Sequence, residues 1–323
     1  LPINVRHLGR IALAFEIKKG TCFLVKRAII TVQSGESMAL SDYIPFWPGS
    51  RVPVVSVVRL TGVISSGGSL RQGLSLAGVA SRLEAAFGVK RAAAVALIIN
   101  SPGGSPVQSD LIGRRVRELA RETNKPVFAF CEDVAASGGY WLALAADEIF
   151  ANENSIVGSI GVVSAGFGLN EAIDRLGIQR RLYATGDNKG MLDPFSPEDP
   201  KHVERLRSIQ DQMHAAFKEW VRQRRGARIR GEEDELFSGA FWTGGQALEY
   251  GLIDGVGDMR SVMRDRFGDK VRFRVFSQRP SLLRRLRLFG RSQGGGIEGA
   301  ILDAPDAALA AIAERWLWGR FGL

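Results

Sequence analysis

Histidine, cysteine and long apolar runs are all scarce in this chain, and each scarcity removes a class of function. The three histidines, His7, His202 and His214, have no cysteine nearby. No metal-ligand spacing is present, and no metal or cofactor is expected. The two cysteines, Cys22 and Cys131, lie far apart, and Cys131 closes an apolar run. It reads as a buried free thiol, so no disulfide framework is expected. No stretch of roughly 18 apolar residues occurs, which removes a transmembrane helix. The N-terminus lacks the apolar core and cleavage site of a signal peptide. These absences place the chain in the cytoplasm or at a membrane periphery. Leu1 is not a methionine, and Met38 opens a segment that could be a genuine beginning. Residues 1–50 are therefore treated as an appendage.

What is present is enough for a real core. The chain has 323 residues, 45% of them apolar, which suits two domains or one α/β domain with extensions. Its 43 basic and 34 acidic residues leave a charge of +9. That balance weakly favours an acidic surface and is too small to imply nucleic acid.

Pro53 to Ile64 is β-branched and bounded by proline and glycine, so it reads as a buried strand. Leu74 to Phe87 has helical spacing. Ala92 to Asn100 is a continuous apolar run, as in a strand covered on both faces. Ser101-Pro102-Gly103-Gly104-Ser105-Pro106 follows, then a helix over 107–123, a strand from Val127 to Cys131, and Ala135-Ala136-Ser137-Gly138-Gly139-Tyr140-Trp141 leading to a helix over 142–146. Alternation of this kind predicts right-handed βαβ units and a largely parallel sheet. The sequence then predicts a helix over 170–176, a strand over 179–184, a loop carrying Lys189, and a long charged helix from Ser196 to Arg225 on which His202 and His214 are surface or half-buried residues. Phe241 to Asp254 reads as a capped short helix closed by Gly251, and Val271 to Phe276 as a last strand. Residues 51–276 form the proposed main domain. Residues 277–323 form a basic linker and an amphipathic helix over 301–321, with Gly294-Gly295-Gly296 as a hinge.

Both glycine turns fall at carboxyl ends of strands, where open α/β sheets bind ligands. A serine followed by two glycines there exposes a hydroxyl and lets a substrate carbonyl approach the backbone. The same residues also serve as an ordinary helix cap and turn. Read as an acyl-transfer site, Ser137 is the nucleophile, and the N–H groups of Gly138 and Gly104 are the oxyanion donors. No histidine stands on a loop near this edge to act as base. A lysine can do so when neutral, and burial favours the neutral form. Lys189 is the only base in the loop over 185–195.

Taken together, Ile99-Asn100-Ser101-Pro102-Gly103-Gly104, Ala136-Ser137-Gly138-Gly139-Tyr140, Gly158-Ser159-Ile160-Gly161-Val162, the lysine loop from Gly186 to Phe195, and Thr243-Gly244-Gly245-Gln246-Ala247-Leu248 with Gly251-Leu252-Ile253-Asp254 resemble, in order, the signal peptide peptidase A (protease IV) family of serine–lysine peptidases. The resemblance spans roughly Pro53 to Phe276. It implies an α/β fold with a ClpP/crotonase-like core of repeated ββα units and helical extensions. It also implies a serine endopeptidase in which Ser137 attacks, Lys189 is the general base, Gly104 and Gly138 hold the oxyanion, and Ser159 orients the lysine. Its substrates would be signal-peptide remnants or other small unfolded peptides, cleaved through an acyl-enzyme without metal or cofactor. Half-length members form a homo-oligomeric ring in which the lysine reaches the serine of an adjacent protomer, and this chain carries one such core.

From Arg264 to Arg291 ten Lys/Arg face two Asp, and Trp316, Trp318 and Phe321 end the chain. That composition suits peripheral contact with an anionic membrane or packing on a neighbouring protomer. Two other functions remain in view. A crotonase-like acyl-CoA enzyme shares the oxyanion hole but uses carboxylates, and none lies in the Ser101–Pro106 loop or just after Ser137. An inactive scaffold would have no reason to keep both Ser137 and Lys189.

Overall fold

The computed structural model describes residues 52–66, 73–277 and 315–322, together with the backbone of three short strands nearer the N-terminus. Cys22, the glycine hinge at Gly294–Gly296, the basic run beyond residue 277 and most of the helix expected over 301–321 lie outside the described residues. The chain divides into two units, Leu1–Val52 and Pro53–Leu323. In the first, β1 (Ala12–Phe15), β2 (Ala28–Thr31) and β3 (Ser37–Ala39) form a three-stranded antiparallel sheet.

The second unit carries the mostly parallel sheet that the alternating pattern predicts. β4 (Val54–Thr61), β5 (Ala92–Ser101), β6 (Val127–Ala136) and β7 (Glu148–Ala151) lie side by side and parallel. The returning strand β11 (Arg272–Phe276) joins the β4 edge, and β10 (Gly255–Val256) joins the β7 edge. Two short strands, β8 (Ile156–Gly158) and β9 (Phe241–Thr243), extend from the end of β6. Isolated bridges from Ile64 to Leu74 and to Gly104 continue this second, shorter layer. Each long strand thus leads into a short extended piece and then a helix, which is the repeated ββα unit expected from the sequence.

The unbroken apolar run of β5 follows from burial on both faces. Val95, Leu97 and Ile99 face a core covered by α1 (Leu76–Phe87), α2 (Pro106–Thr123) and α3 (Gly138–Ala143). Ala94, Ala96 and Ile98 face a smaller core under α8 (Met259–Phe267). Full burial of one such Leu or Ile side chain contributes about 1.5–3 kcal/mol. The helices begin where the sequence offers caps. Ser75 Oγ accepts from the Gly78 N–H and Ser105 Oγ from the Gln108 N–H, with Pro106 as the first helical residue. Thr243 and Gln246 form a reciprocal capping box at the start of α7 (Gly244–Glu249).

Three expectations need correcting. The helix after Ser137 begins at Gly138, not Leu142, because Ser137 itself stands at its N-cap. The long helix α5 (Pro200–Arg225) starts four residues after Ser196, where Asp199 caps the Lys201 N–H at 2.8 Å and Pro200 supplies a preset φ. Residues 179–184 make no strand. A strand needs a neighbour to pair with, and among the described residues none is supplied.

The far end of α5 is pinned to the core by charge. Arg225, 3% exposed, donates to Gly251 O and to Asp254, while Arg228 reaches the other oxygen of Asp254. Burial alone would push the Asp254 carboxyl up. The bond and charge of Arg225, the Ile149 N–H and the bond from Arg228 outweigh it and hold the group below its ordinary value. At the opposite corner, the last described residues make one helical turn. Phe321 is buried there against Val134 and Ala136, with its ring 5.1 Å from that of Phe241. Phe321 is therefore turned to the sheet, while Trp316 stays 46% exposed.

Candidate active site

The end of β6 is the centre of the site. Its pairing with β5 skips between Ile99↔Cys131 and Ser101↔Ala135, so β6 carries extra residues and its tip is re-aimed. Ser137 follows, with φ 52° and ψ −120°. A non-glycine residue in such a region stores about 1–3 kcal/mol of strain, and the surroundings must enforce it. They do: the Ser137 N–H donates to Gly158 O at 2.8 Å, and its carbonyl accepts from the Trp141 N–H at 3.0 Å. The hydroxyl makes no hydrogen bond among the described residues, so it is not spent as a helix cap.

The two glycine turns expected at one sheet edge do meet. Gly103, at φ 104°, lies so close that a Cβ there would stand 2.8 Å from both Ser137 Cβ and Gly138 N. A Cβ on Gly104, at φ 139°, would stand 2.1 Å from Ile64 O. Only glycine fits at these two positions, for reasons of space as well as φ. Ser101 shapes the turn from beneath: its buried hydroxyl donates to Gly62 O at 2.7 Å and accepts from the Gly103 N–H at 3.2 Å. The bridge at Gly104 is made by the Gly103 carbonyl and the Ser105 N–H, which leaves the Gly104 N–H itself outside that ladder. Gly138 is the first residue of α3, and the N–H groups of a first helical turn have no intrahelical acceptor. Two N–H groups next to one serine hydroxyl can hold a developing oxyanion, each worth about 3 kcal/mol in a transition state.

Ser159 stands beside Ser137. β8 pairs with β6 in the register Ala136↔Gly158, so the two serines are the next residues on neighbouring strands. Both have positive φ, 52° and 53°. Ser159 is 4% exposed, its N–H donates to Ala240 O at 2.7 Å, and its hydroxyl has no partner among the described residues. The sequence reading of His214 is a surface or half-buried residue of α5. It is half-buried there, with Nε2 3.0 Å from Ile160 O, and so ties the helix to the turn that carries Ser159. Only that spatial neighbour reveals the contact.

Lys189 is not brought to this cluster within one chain. It is exposed, in a turn where its N–H donates to Gly186 O, and its side chain makes no hydrogen bond or ion pair among the described residues. The surrounding arm is unusual: from Gly161 through Ala216 no residue is buried. α4 (Asn170–Arg175) and the first turns of α5 belong to it. Several of its apolar side chains point outward, with Phe167 81% and Tyr183 91% exposed.

Two other features are set apart from this site. Cys131 is wholly buried, and burial pushes its thiol up to about 12, so it is no nucleophile. A cavity of about 370 Å³ opens beside the N-terminus of α8, over Val57, Ile98 and Phe130, and Ser137 is not in its wall. Among the described residues no three His, Cys, Asp or Glu side chains are grouped to hold a metal, and no helix is long and apolar enough to cross a membrane.

Comparison with known proteins gives the family. The profile of peptidase family S49 matches residues 119–267. Slr0021 of Synechocystis sp., named as a protease, is 30% identical over 203 residues, covering 61% of this chain and 72% of that protein. The chloroplastic serine protease SPPA of Arabidopsis thaliana is 32% identical over 205 residues, 63% of this chain and 29% of its own length. A Brucella abortus protein bearing the name Na(+)/H(+) antiporter NhaA is 52% identical over 273 residues, 83% of this chain. The matched segment is 37% of that longer protein, so the chain spans well under half of this relative. The chain belongs to peptidase family S49, the family of signal peptide peptidase A and protease 4.

Proposed function

We propose that this chain is a serine endopeptidase whose Ser137–Lys189 dyad is completed between protomers of a homo-oligomeric ring, and whose substrates are signal-peptide remnants or other small unfolded peptides. Neutral Lys189 of one protomer takes the Ser137 proton of its neighbour as Oγ attacks the scissile carbonyl. The carbonyl oxygen becomes an oxyanion between the Gly104 and Gly138 N–H groups. Collapse of the tetrahedral species breaks the C–N bond, the lysine returns the proton to the leaving amine, and an acyl-enzyme on Ser137 remains. Water, deprotonated by the same lysine, then attacks the acyl carbon; the ester bond to Ser137 breaks, the acid leaves and the lysine returns the proton to Ser137 Oγ. Ser159, beside Ser137 and with its hydroxyl unspent, is the group that orients the incoming lysine.

One observation carries this reading. Ser137 is held rigidly by its own chain, whereas Lys189 rides on an arm in which no residue is buried and which exposes apolar side chains. Such a surface suits burial by a second copy, and that burial would also favour a neutral lysine. The acyl-CoA alternative finds no carboxylate in the Gly103–Ser137 cluster.

The test is hydrolysis of a fluorogenic apolar peptide by wild type, Ser137→Ala and Lys189→Ala, each sized by light scattering. The expected result is two inactive variants that still assemble, with activity returning when they are mixed. Full activity in Lys189→Ala would remove the dyad. Two dead variants that assemble yet never complement would place both residues in one protomer.

A further inference from the structure

The arm from Gly161 to Ala216 contains one well-shielded polar group. The Asp193 side chain is 8% exposed, in a segment where no residue is buried. Its carboxylate accepts from Arg180 Nε at 3.1 Å, from Ser196 Oγ at 3.1 Å and from the Phe195 N–H at 3.4 Å. The Arg180 guanidinium also lies over the Phe195 ring, 5.8 Å from its centre. The Arg180 bond, chief among these contacts, holds the Asp193 carboxyl below its ordinary value, so it stays charged at neutral pH.

These contacts join the two ends of one loop. Arg180 is on the leg that enters it, Asp193 on the leg that leaves, and Lys189 lies between. Inside, Gly190 packs so closely on Leu182 that a Cβ there would stand 2.5 Å from Cδ2, and the turn bonds Lys189 N to Gly186 O and Met191 N to Asn188 O set the tip. Outside, the Leu169 N–H donates to Pro194 O at 2.6 Å and ties the clasp to α4. A long, solvated arm would otherwise leave the tip free to wander, and a dyad built between two chains depends on where that tip is.

We propose that Asp193, through its pair with Arg180, is a positioning residue that closes the Lys189 loop and fixes where the lysine amine is presented. The proposal rests on Lys189 being the base. Asp193 touches neither substrate nor Ser137. It acts by holding the loop in the form that meets a neighbour's site.

The experiment uses the assembled full chain and compares wild type, Asp193→Ala, Asp193→Asn, Arg180→Ala and Lys189→Ala. Steady-state peptide hydrolysis, the rate of Ser137 labelling by a fluorophosphonate, light scattering and melting temperature are measured on each. A displacement of about 1 Å in a reacting group costs about 100-fold, so Asp193→Ala and Arg180→Ala are expected to lose about 100-fold in kcat. KM, assembly and melting temperature should hold, and labelling should slow in step with kcat. Asp193→Asn keeps one acceptor oxygen, enough for the Phe195 N–H or for Ser196 Oγ, and should retain more activity than Asp193→Ala. Wild-type kcat in Asp193→Ala overturns the clasp, as does a fall in kcat matched by loss of assembly, or an Asn variant worse than Ala. Lys189→Ala separates the two ideas. If it is inactive while Asp193→Ala is normal, only the clasp falls; if it is active, the base assignment falls whatever Asp193 does.

Discussion

Between Val127 and Ile160 most side chains are buried, and the backbone is held by strand pairing at Val127–Ala136, Glu148–Ala151 and Ile156–Gly158. From Gly161 to Ala216 nothing is buried, although apolar residues are still frequent. The first region holds Ser137, Ser159 and Gly138; the second holds Lys189. The difference shows two ways of placing a functional group. One is to surround it until a strained φ is the only geometry left. The other is to brace a loop locally and leave its outer surface for something else to cover.

Substitutions can break or sharpen this contrast. The largest effect is expected at Gly103→Ala, whose Cβ would press on Ser137 and Gly138 N. Loss of one well-placed oxyanion donor costs about 10²–10³ in kcat, and at least that is expected in peptide hydrolysis. The companion Gly166→Ala, where a Cβ meets nothing within 4 Å, should leave the protomer's melting temperature unchanged.

Asp254→Asn removes the charge facing buried Arg225 and should destabilise the fold by about 3 kcal/mol at neutral pH, read by urea unfolding. The sign of its pH dependence follows from its lowered folded value. Its stabilisation is full above the unfolded value and is lost as pH falls through the folded one. The gap between variant and wild type should therefore begin to close below about pH 4. A gap that widens in acid would mean the pair is not what holds α5.

Ser137→Gly removes a Cβ from a strained backbone and should raise stability by about 1 kcal/mol relative to Ser137→Ala, measured by melting temperature. The smallest effect on the protomer is expected at Tyr183→Ser and Phe167→Ser. Exposed positions of this kind change stability by less than about 0.5 kcal/mol, yet both should weaken assembly in light scattering. If they melt the protomer instead, the arm is packed and the contrast between the two regions fails.

Much of the rigid region was legible because its signals are local. The apolar run of β5 announces a strand covered twice, and serine and glycine at strand ends announce turns. That the turns touch, with room for no methyl group at Gly103, depends on three strands meeting, and no window of sequence contains them. The strand expected at 179–184 was misread for a related reason. Extended residues are legible, but pairing is a property of two segments. The clasp of Arg180 and Asp193 was hidden for want of any periodic pattern, and the pinning of α5 by Arg225 and Asp254 joins residues on separate elements. Ser159 is singled out through resemblance alone, and its register sets it beside Ser137.

On the proposed reading, an arm with no buried residue also makes time and number matter. A protomer fresh from synthesis carries a preformed serine and no base within reach, so on the proposed reading it is harmless while alone. Activity should then rise more steeply than in proportion to the amount of protein and should vanish on dilution. The cell would be guarded from a stray hydrolase by scarcity itself.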